Sequence, residues 1–125
     1  MHVISNQQPV PSAISGIAHV TLAGQEEGLS KLSVWQQSLA PGSATPPHRH
    51  DCEEVVLCSA GIGELRLGDT VERFARDMTV VIPANAEHRI INIGDEPLQF
   101  VAVFSMSPVR ACFPDGTAIE LPWRS

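Results

Sequence analysis

The sequence predicts an all-β domain, either a sandwich or a barrel, with about 8–10 strands and little helix. Two observations carry this prediction. Short apolar runs recur along the chain between Gly, Pro, Asn and Asp residues, and no long stretch keeps apolar residues at the i, i+3, i+4 and i+7 positions of a helix. The 125 residues are enough for one domain with an apolar core and too few for two.

The predicted elements follow one another at close spacing. Residues 1–16 are polar, contain Pro9, Pro11 and Gly16, and are predicted to form an N-terminal arm, while residues 17–125 form the single domain. Gly68-Asp69 is typical of a hairpin turn, since glycine supplies the positive φ that such turns need. Strands are predicted, to within about 2–4 residues, at 17–23, 31–39, 54–59, 62–67, 70–74, 78–82, 87–93, 98–105 and near 117–121.

Two of these strands are apolar on both faces, namely residues 78–82 and 100–104. A half-solvated strand would alternate apolar and polar residues. One face should therefore line the interior while a second subunit or the chain's own ends cover the other, and a homodimer is the prediction. The core is expected to contain Trp35, Phe74, Phe100 and Phe104.

Composition excludes several classes of partner. The net charge is −6 and there is no basic cluster, which argues against nucleic acid and anionic membranes as partners. No apolar run is long enough to span a bilayer, and the first residues lack the pattern of a signal peptide. Three cysteines without C-x-x-C spacing indicate reduced thiols, so the predicted location is the cytoplasm.

Four side chains stand out as candidate metal ligands. His48 and His50 lie two residues apart, so on an extended segment their imidazoles project from the same face. Glu54 follows a predicted turn at the start of a strand, and His88 begins a distant strand. If the sheet closes so that these strands meet, three imidazoles and one carboxylate share an interior site, and such ligands bind divalent transition metals.

The first part of this pattern resembles a motif of the cupin superfamily. The motif G-x5-H-x-H-x3,4-E-x6-G is matched in full by Gly42, His48, His50, Glu54 and Gly61. The resemblance implies a double-stranded β-helix, or jelly-roll, barrel.

The second cupin motif, G-x5-P-x-G-x2-H-x3-N, is matched at Pro83, His88 and Asn92. Asp77 and Asn85 replace its two glycines. Asn tolerates a left-handed backbone better than most residues, which makes Asn85 the milder departure. The two motifs occupy residues 42–61 and 77–92.

The resemblance implies that His48, His50, Glu54 and His88 bind one divalent ion of Fe, Mn, Ni, Cu or Zn. An octahedral ion with four protein ligands keeps two open positions for a substrate. Glu53 is the alternative inward carboxylate, but the motif spacing favours Glu54.

Other polar residues are expected to have lesser roles. One of Gln36 and Gln37 should face inward, where its amide could touch a ligand, and Asn92 is expected to be structural. Arg49 and Arg89 are expected to point outward, and no role is assigned to His2 and His19. Cys52 is expected to be a solvent-facing loop thiol in preference to a soft metal ligand, while Cys58 and Cys112 are expected to be small core or edge residues.

The resemblance favours a metal-dependent enzyme similar to single-domain cupin dioxygenases, acting on a small oxygen-chelating substrate of the diketone, enol or phenolic type. Glu54 is the candidate catalytic base in that hypothesis. Alternatives are a lyase, isomerase or cyclase that uses the metal as a Lewis acid, and a non-catalytic module that binds a small molecule. No clear acid or base beyond the four ligands is evident, which limits the preference for an enzyme.

Overall fold

The computed structural model describes residues 2–125, which form short strands and one 3-10 turn at Gln25–Glu27. No helix in this range is long and apolar enough to cross a bilayer. The strands are β1 (Val10–Pro11), β2 (Ile17–Ala23), β3 (Ser33–Leu39), β4 (Glu54–Ala60), β5 (Ile62–Leu67), β6 (Thr70–Ala75), β7 (Thr79–Ile82), β8 (His88–Asn92), β9 (Leu98–Phe104), β10 (Ala111–Cys112) and β11 (Ala118–Ile119).

The strands make two facing layers. One layer is a six-stranded sheet in the order β1-β2-β3-β9-β4-β7. The other combines the sheet β6-β5-β8 with the hairpin β10-β11, and the segment 44–49 joins them through bridges to Ile91, His88 and Cys112. Two antiparallel layers with crossing connections are a jelly roll. The predicted all-β barrel with little helix is confirmed.

The core lies between the layers and follows the two-residue period of the strands. On β3 the side chains of Ser33, Trp35, Gln37 and Leu39 are buried, while those between them are partly exposed. Phe74, Phe100 and Phe104 are buried with Trp35, as predicted. Each fully buried side chain of this size contributes roughly 1.5–3 kcal/mol, so the barrel does not depend on a single contact.

The outer face of the six-stranded sheet is apolar and uncovered in part. Val81 on β7 is 66% exposed, and Leu57 on the neighbouring strand β4 is also exposed, two residues after Val55, the partner of Val81. Residues 2–125 therefore leave this part of the face exposed, unlike the predicted arrangement in which the N- and C-terminal segments cover it. Coverage by a second subunit stays a prediction.

The strand boundaries agree closely with the sequence pattern, with two exceptions. The predicted strand at 31–39 begins at Ser33, and β1 and β10 were not predicted. Both unpredicted strands are two residues long, which is too short to show an alternation of apolar and polar residues. β1 pairs with β2, so the predicted N-terminal arm contributes an edge strand to the larger sheet.

Candidate metal centre

His48 and His88 face each other across an antiparallel bridge. The amide of His48 donates to the carbonyl of His88 at 3.0 Å, and the amide of His88 donates back at 2.8 Å. Residues directly opposite in such a pair project to the same side of the sheet. Their ring centroids lie 4.2 Å apart, so the backbone pairing brings together two imidazoles that are distant in sequence.

His50 and Glu54 complete the cluster from two further backbone positions. The carbonyl of His50 accepts a hydrogen bond of 2.7 Å from the amide of Asn85, which anchors it beside the turn before β8. Glu54 is the first residue of β4 and only 5% exposed. Its Oε1 lies 3.6 Å from Nε2 of His50 and 3.3 Å from Nε2 of His88.

All four predicted ligands therefore converge. One nitrogen from each of His48, His50 and His88 lies within 4.8 Å of the other two. The neighbouring Glu53 is exposed, so the carboxylate that points inward is that of Glu54, as the motif spacing predicts.

Backbone carbonyls fix the tautomer of each imidazole. Nδ1 of His48 lies 2.6 Å from the carbonyl oxygen of Pro46, Nδ1 of His50 lies 2.7 Å from that of Arg110, and Nδ1 of His88 lies 2.9 Å from that of Ala86. A carbonyl oxygen only accepts, so each Nδ1 carries the proton. In the neutral rings each Nε2 keeps its lone pair, which is the protonation state that metal ligation requires.

Two buried polar atoms of the cluster have no hydrogen-bond partner within residues 2–125, namely Glu54 Oε1 and His88 Nε2. They face each other at 3.3 Å. Nδ1 of His88 already carries the proton of the neutral ring. In that state the lone pair of Nε2 and the oxygen Oε1 of Glu54 are two acceptors in contact, with no proton between them. Unpaired buried acceptors are costly, and a cation between them removes that cost. The donor set and these orphaned atoms thus fit a divalent transition metal.

The electrostatics of the three imidazoles differ. Burial lowers the pKa of His48 to about 3, and repulsion from His88 and His50 adds to that effect. Burial also lowers the pKa of His50, although Glu54 opposes this. For His88, burial opposes the charged form, but the carboxylate of Glu54 and the carbonyl of Ala86 raise the pKa overall. His48 and His50 are therefore neutral near pH 7. At His88 Nε2 a metal would take the position of the proton that the charged form of the ring places next to Glu54.

The cluster opens into an apolar cavity inside the barrel. The cavity wall is mainly aliphatic and aromatic, with Gln37 and Thr45 as its polar members besides the cluster. Among the residues 2–125 that line it, only His48, His50, Glu54 and His88 have acidic or basic side chains. Aromatic and apolar surface is contributed by Ile17, Trp35, Phe100, Phe104, Leu121 and Trp123.

Residues 2–120 match the protein family described as auxin binding protein. The chain belongs to the auxin-binding protein family. Auxin-binding protein 1 of Arabidopsis thaliana is 37% identical over 105 residues, which cover 76% of this chain and 53% of that protein. Auxin-binding protein T85 of Nicotiana tabacum is 38% identical over 113 residues, or 81% of this chain and 60% of that protein. The chain thus spans between about half and three fifths of the length of these relatives.

Comparison with solved structures also places this fold in the cupin superfamily. A sugar phosphate isomerase of the cupin superfamily from Silicibacter pomeroyi superposes with a TM-score of 0.70 at 26% identity, over 82% of this chain and 68% of that chain. The resemblance to cupins that the two motifs indicate is confirmed.

The two glycine replacements in the second motif keep the backbone conformation of glycine. In this member of the auxin-binding protein family, φ is 67° at Asp77 and 64° at Asn85. Both values lie in the left-handed region, which Asp and Asn enter more readily than other residues with a side chain. Asp77, the larger departure from the motif, therefore also has the backbone conformation that the motif's glycine would adopt.

The inward amide on β3 is that of Gln37, which is buried, while Gln36 is partly exposed. Asn92 is structural, as predicted. Its Nδ2 donates to the carbonyls of Leu39 and Glu96, and its Oδ1 accepts from the amide of Gly94. These bonds close the turn after β8 and leave Asn92 outside the metal cluster.

The two arginines next to ligand histidines point away from the cluster, as predicted. Arg49 donates from Nε to Sγ of Cys112, and Arg89 donates from Nε to the carbonyl of Thr45. Cys58 is buried and Cys112 is half-buried, in line with core and edge roles.

The prediction of a solvent-facing thiol at Cys52 is wrong, because its side chain is buried in the core. The chain bends at residues 51–52, and the backbone of Glu53 pairs with Ser105, which turns Cys52 inward. Burial raises the pKa of this thiol to about 11, so it is a neutral packing group.

Sequence reasoning missed two residues beside the cavity, His19 and Trp123. The rings of these residues stack with centroids 4.0 Å apart, and Trp123 lines the cavity. His19 shares the inward parity of Ile17 on β2, and that alternation was the available signal. Trp123 lies in a C-terminal segment without a strand pattern, so no local signal marked it.

Proposed function

We propose that this chain binds one divalent transition metal through His48, His50, Glu54 and His88 and uses it to hold the carboxylate of a small aromatic acid of the auxin type. The observation that carries the proposal is the pair of buried, unpartnered acceptors, Glu54 Oε1 and His88 Nε2, at the end of an apolar cavity. The names of the related plant proteins support an auxin-type ligand.

The chemistry of the cavity matches the two halves of such a ligand. A bound divalent ion supplies positive charge that attracts a carboxylate in a site with little water. The protein holds the imidazoles by their Nδ1 protons, so that the lone pairs converge without rearrangement. The aromatic wall, with Trp35 and Trp123 in contact at a centroid distance of 5.3 Å, packs against a flat ring and excludes water from it.

Binding is a better match to this cavity than the dioxygenase chemistry suggested by the resemblance to cupin enzymes. An enzyme of this kind needs a group that moves a proton, and Glu54 is the one carboxylate among the described residues that line the cavity. Glu54 is also one of the four candidate ligands. Catalysis by Glu54, including isomerase chemistry of the kind named for the structural neighbour from Silicibacter pomeroyi, remains the second candidate.

Calorimetry on defined metal forms tests the proposal. The protein is stripped with a chelator and reloaded separately with Zn(II), Mn(II) or Fe(II), and each form is titrated with indole-3-acetate. The control ligand is indole-3-ethanol, which keeps the ring and lacks the carboxylate. We expect metal-dependent binding of the acid and at least about 30-fold weaker binding of the alcohol, since a charged contact is lost.

Equal binding of the acid to metal-free and metal-loaded protein would overturn this assignment. Oxygen uptake and product formation are measured on the same samples with diketones, phenols and sugar phosphates. Turnover that depends on the metal, and that disappears in a Glu54→Gln variant which retains its metal, would establish the enzyme in place of the binding protein.

A further inference from the structure

A second cleft lies outside the barrel, on the outer side of the segment that carries His48 and His50. Its volume is about 260 Å³, several times the roughly 30 Å³ that one water molecule occupies in the liquid. Of the residues that line it, only Ala111 also lines the metal cavity. Its polar lining consists of Arg49, Asp51, Asn85, Arg110 and Cys112.

Strand register explains why two arginines line this cleft. Arg49 is bridged to Cys112, and their backbone amides and carbonyls exchange hydrogen bonds of 2.9 and 3.0 Å. Two residues further along this antiparallel register, Asp51 is opposite Arg110, and Arg110 Nη2 lies 3.2 Å from Asp51 Oδ2. Residues two apart on an extended segment project from the same face. The four side chains therefore form two neighbouring pairs on one outer face, while His50 between them faces the metal cluster.

The same register brings the two guanidinium groups within reach of one ligand. Arg49 and Arg110 are diagonal neighbours, and diagonal positions of an antiparallel pair lie about 7–8 Å apart, within reach of long side chains. Arg49 is half-buried, and its Nε donates to Sγ of Cys112 at 3.3 Å. Its Nη2 lies beside Gly116, where an added Cβ would be 3.6 Å away. Because glycine has no side chain, it leaves the forked end of Arg49 uncovered.

The charges of these two arginines are incompletely compensated. Arg49 forms no ion pair of 4.0 Å or shorter with a carboxylate of residues 2–125. Asp115, on the turn beside it, accepts a hydrogen bond of 2.8 Å from the amide of Thr117. Arg110 is paired with Asp51, but both side chains of that pair are more than half exposed. An exposed ion pair adds little stability, so a competing anion can replace Asp51 at low cost.

We propose that this cleft binds a small phosphorylated molecule, with the phosphate group held between Arg49 and Arg110. A phosphate monoester has close to two negative charges at pH 7 and three acceptor oxygens, which suffice for two guanidinium groups. A carboxylate has one charge and two oxygens, so at Arg110 it would only exchange with the carboxylate of Asp51. The remaining volume receives the organic part of the ligand. The site is separate from the metal cluster, and the inference does not depend on the function proposed above.

An NMR titration of ¹⁵N-labelled protein with inorganic phosphate tests this inference, because each arginine Nε–H group gives its own signal. The titration is run on zinc-loaded and on metal-free protein, since phosphate oxygens also coordinate metal ions. We expect saturable shifts at Arg49 and Arg110, with one dissociation constant in both forms. The signal of Arg89, which bonds to the carbonyl of Thr45, should not move. The net charge of −6 disfavours general attraction of anions, so saturation reports a defined site.

Two further ligands define the chemical class. Acetate should bind at least about tenfold more weakly than phosphate, because it offers one charge and two oxygens. Phenyl phosphate should bind at least as tightly as inorganic phosphate, since the cleft has room for more than the ion.

Variants of Arg49 test its role in holding the phosphate. Arg49→Met keeps the apolar stem and removes the guanidinium, and it should weaken phosphate binding at least about tenfold. Arg49→Lys keeps the charge without the planar fork and should cause a smaller loss. Arg89→Met removes the same charge from the neighbouring strand and should keep the wild-type affinity. Metal content should be unchanged in all three variants, because both arginines point away from the cluster.

Removal of the competing carboxylate should have the opposite effect. Asp51→Asn frees Arg110 and should tighten phosphate binding by up to about fivefold. The control is Asp69→Asn, which makes the same change of charge at the exposed hairpin turn between β5 and β6. It should bind phosphate like the wild-type protein. If Arg49→Met does not fold, the comparison of these two aspartate variants decides the matter.

Several results would overturn the inference without affecting the binding of aromatic acids at the metal. Shifts that occur only in the zinc-loaded protein would place the phosphate on the metal instead. An unchanged affinity in a folded Arg49→Met variant would remove Arg49 from the site, and equal effects of Asp51→Asn and Asp69→Asn would leave only a general response to charge. Equal affinities for acetate and phosphate, or no binding of phenyl phosphate, would refute the assignment to a phosphorylated molecule.

Discussion

The two ends of the cavity are built from different kinds of contact. At the metal end, His48 and His88 each donate Nδ1 to a carbonyl two residues earlier, and one backbone bridge joins them. At the other end, Gln37 and Trp123 depend on contacts between the first strands and the last residues of the chain. Local sequence thus positions the candidate metal ligands, while long-range packing shapes the rest of the cavity wall.

The largest expected effect comes from breaking the metal end. His88→Ala removes one of four ligands and should abolish stoichiometric metal binding, while the metal-free variant stays folded because burial in the barrel supplies the stability. Bound metal is measured by elemental analysis and the fold by circular dichroism and thermal melting. His48→Ala should behave in the same way.

The adjacent substitution Arg89→Ala is the control for that experiment. Arg89 bonds to the carbonyl of Thr45 and points away from the cluster, so this variant should keep one metal per chain. Retention of full metal content in His88→Ala would show that the cluster is not the metal site. Unfolding of the wild-type protein on removal of metal would give the metal a structural role instead.

At the opposite end, Trp123→Ala should weaken the binding of indole-3-acetate by about 30-fold, or about 2 kcal/mol, because the ring loses an aromatic wall. Metal content should not change, since Trp123 contacts His19 and Trp35 and no candidate ligand is among its ring partners. The measurement is calorimetry on the zinc-loaded protein.

Phe113→Ala is a suitable comparison, because Phe113 is a partly exposed aromatic residue that does not line the cavity. Loss of metal in Trp123→Ala would contradict the division of the cavity into two independent ends. An unchanged affinity in that variant would remove Trp123 from the ligand site.

The sequence allowed the clustering of the four candidate ligands to be predicted, and the reason is physical. Two-residue strand periodicity and the motif spacing place His48, His50 and Glu54, and they correctly prefer Glu54 to Glu53. The pairing of His48 with His88 needs only that the barrel closes.

The other end of the cavity, beside Gln37 and Trp123, could not be predicted in the same way. Thr21 and the carbonyl of Arg124 are 103 positions apart, and no local pattern indicates that they meet. Cys52 was placed wrongly for a related reason, since the pairing of Glu53 with the distant Ser105 decides the direction of its side chain. Strand pattern gives the face of a residue within an element, but contacts between elements decide the loops.

His19 offers a way to examine the end of the cavity beside Gln37 and Trp123 without any ligand. Its pKa is lowered by burial to about 4, below the 6.5 of an unfolded histidine, so the unfolded chain binds more protons between these two values. The contribution to stability is therefore complete above pH 6.5 and is lost as the pH falls towards 4. His19→Phe keeps an aromatic ring against Trp123 but cannot be protonated. Between pH 6.5 and pH 4 its free energy of unfolding should therefore fall by about 1.5 kcal/mol less than that of the wild-type protein.

Urea unfolding at pH 7 and pH 4, with chelator present throughout, measures this difference. His2 is exposed, so His2→Gln should retain the wild-type pH dependence. If the free energy of unfolding of His19→Phe has the same pH dependence as that of the wild-type protein, His19 is protonated without penalty in the folded protein. That result would contradict the neutral, buried ring between Thr21 and Gln37.

The smallest effect is expected at the turn that supports the metal end from outside. Asn85 has φ of 64° where the cupin motif has glycine, and its amide donates to the carbonyl of His50 at 2.7 Å. Asn85→Gly should change the free energy of unfolding by less than about 0.5 kcal/mol, whereas Asn85→Ala should cost about 1 kcal/mol, because alanine enters the left-handed region less readily. Both are measured by urea unfolding of the metal-free protein.

The zinc affinity of Asn85→Gly should equal that of wild type, since the backbone amide that holds His50 is present in both. If Asn85→Gly instead binds zinc more weakly, the asparagine side chain takes part in positioning His50, and the metal end depends on more than its backbone geometry.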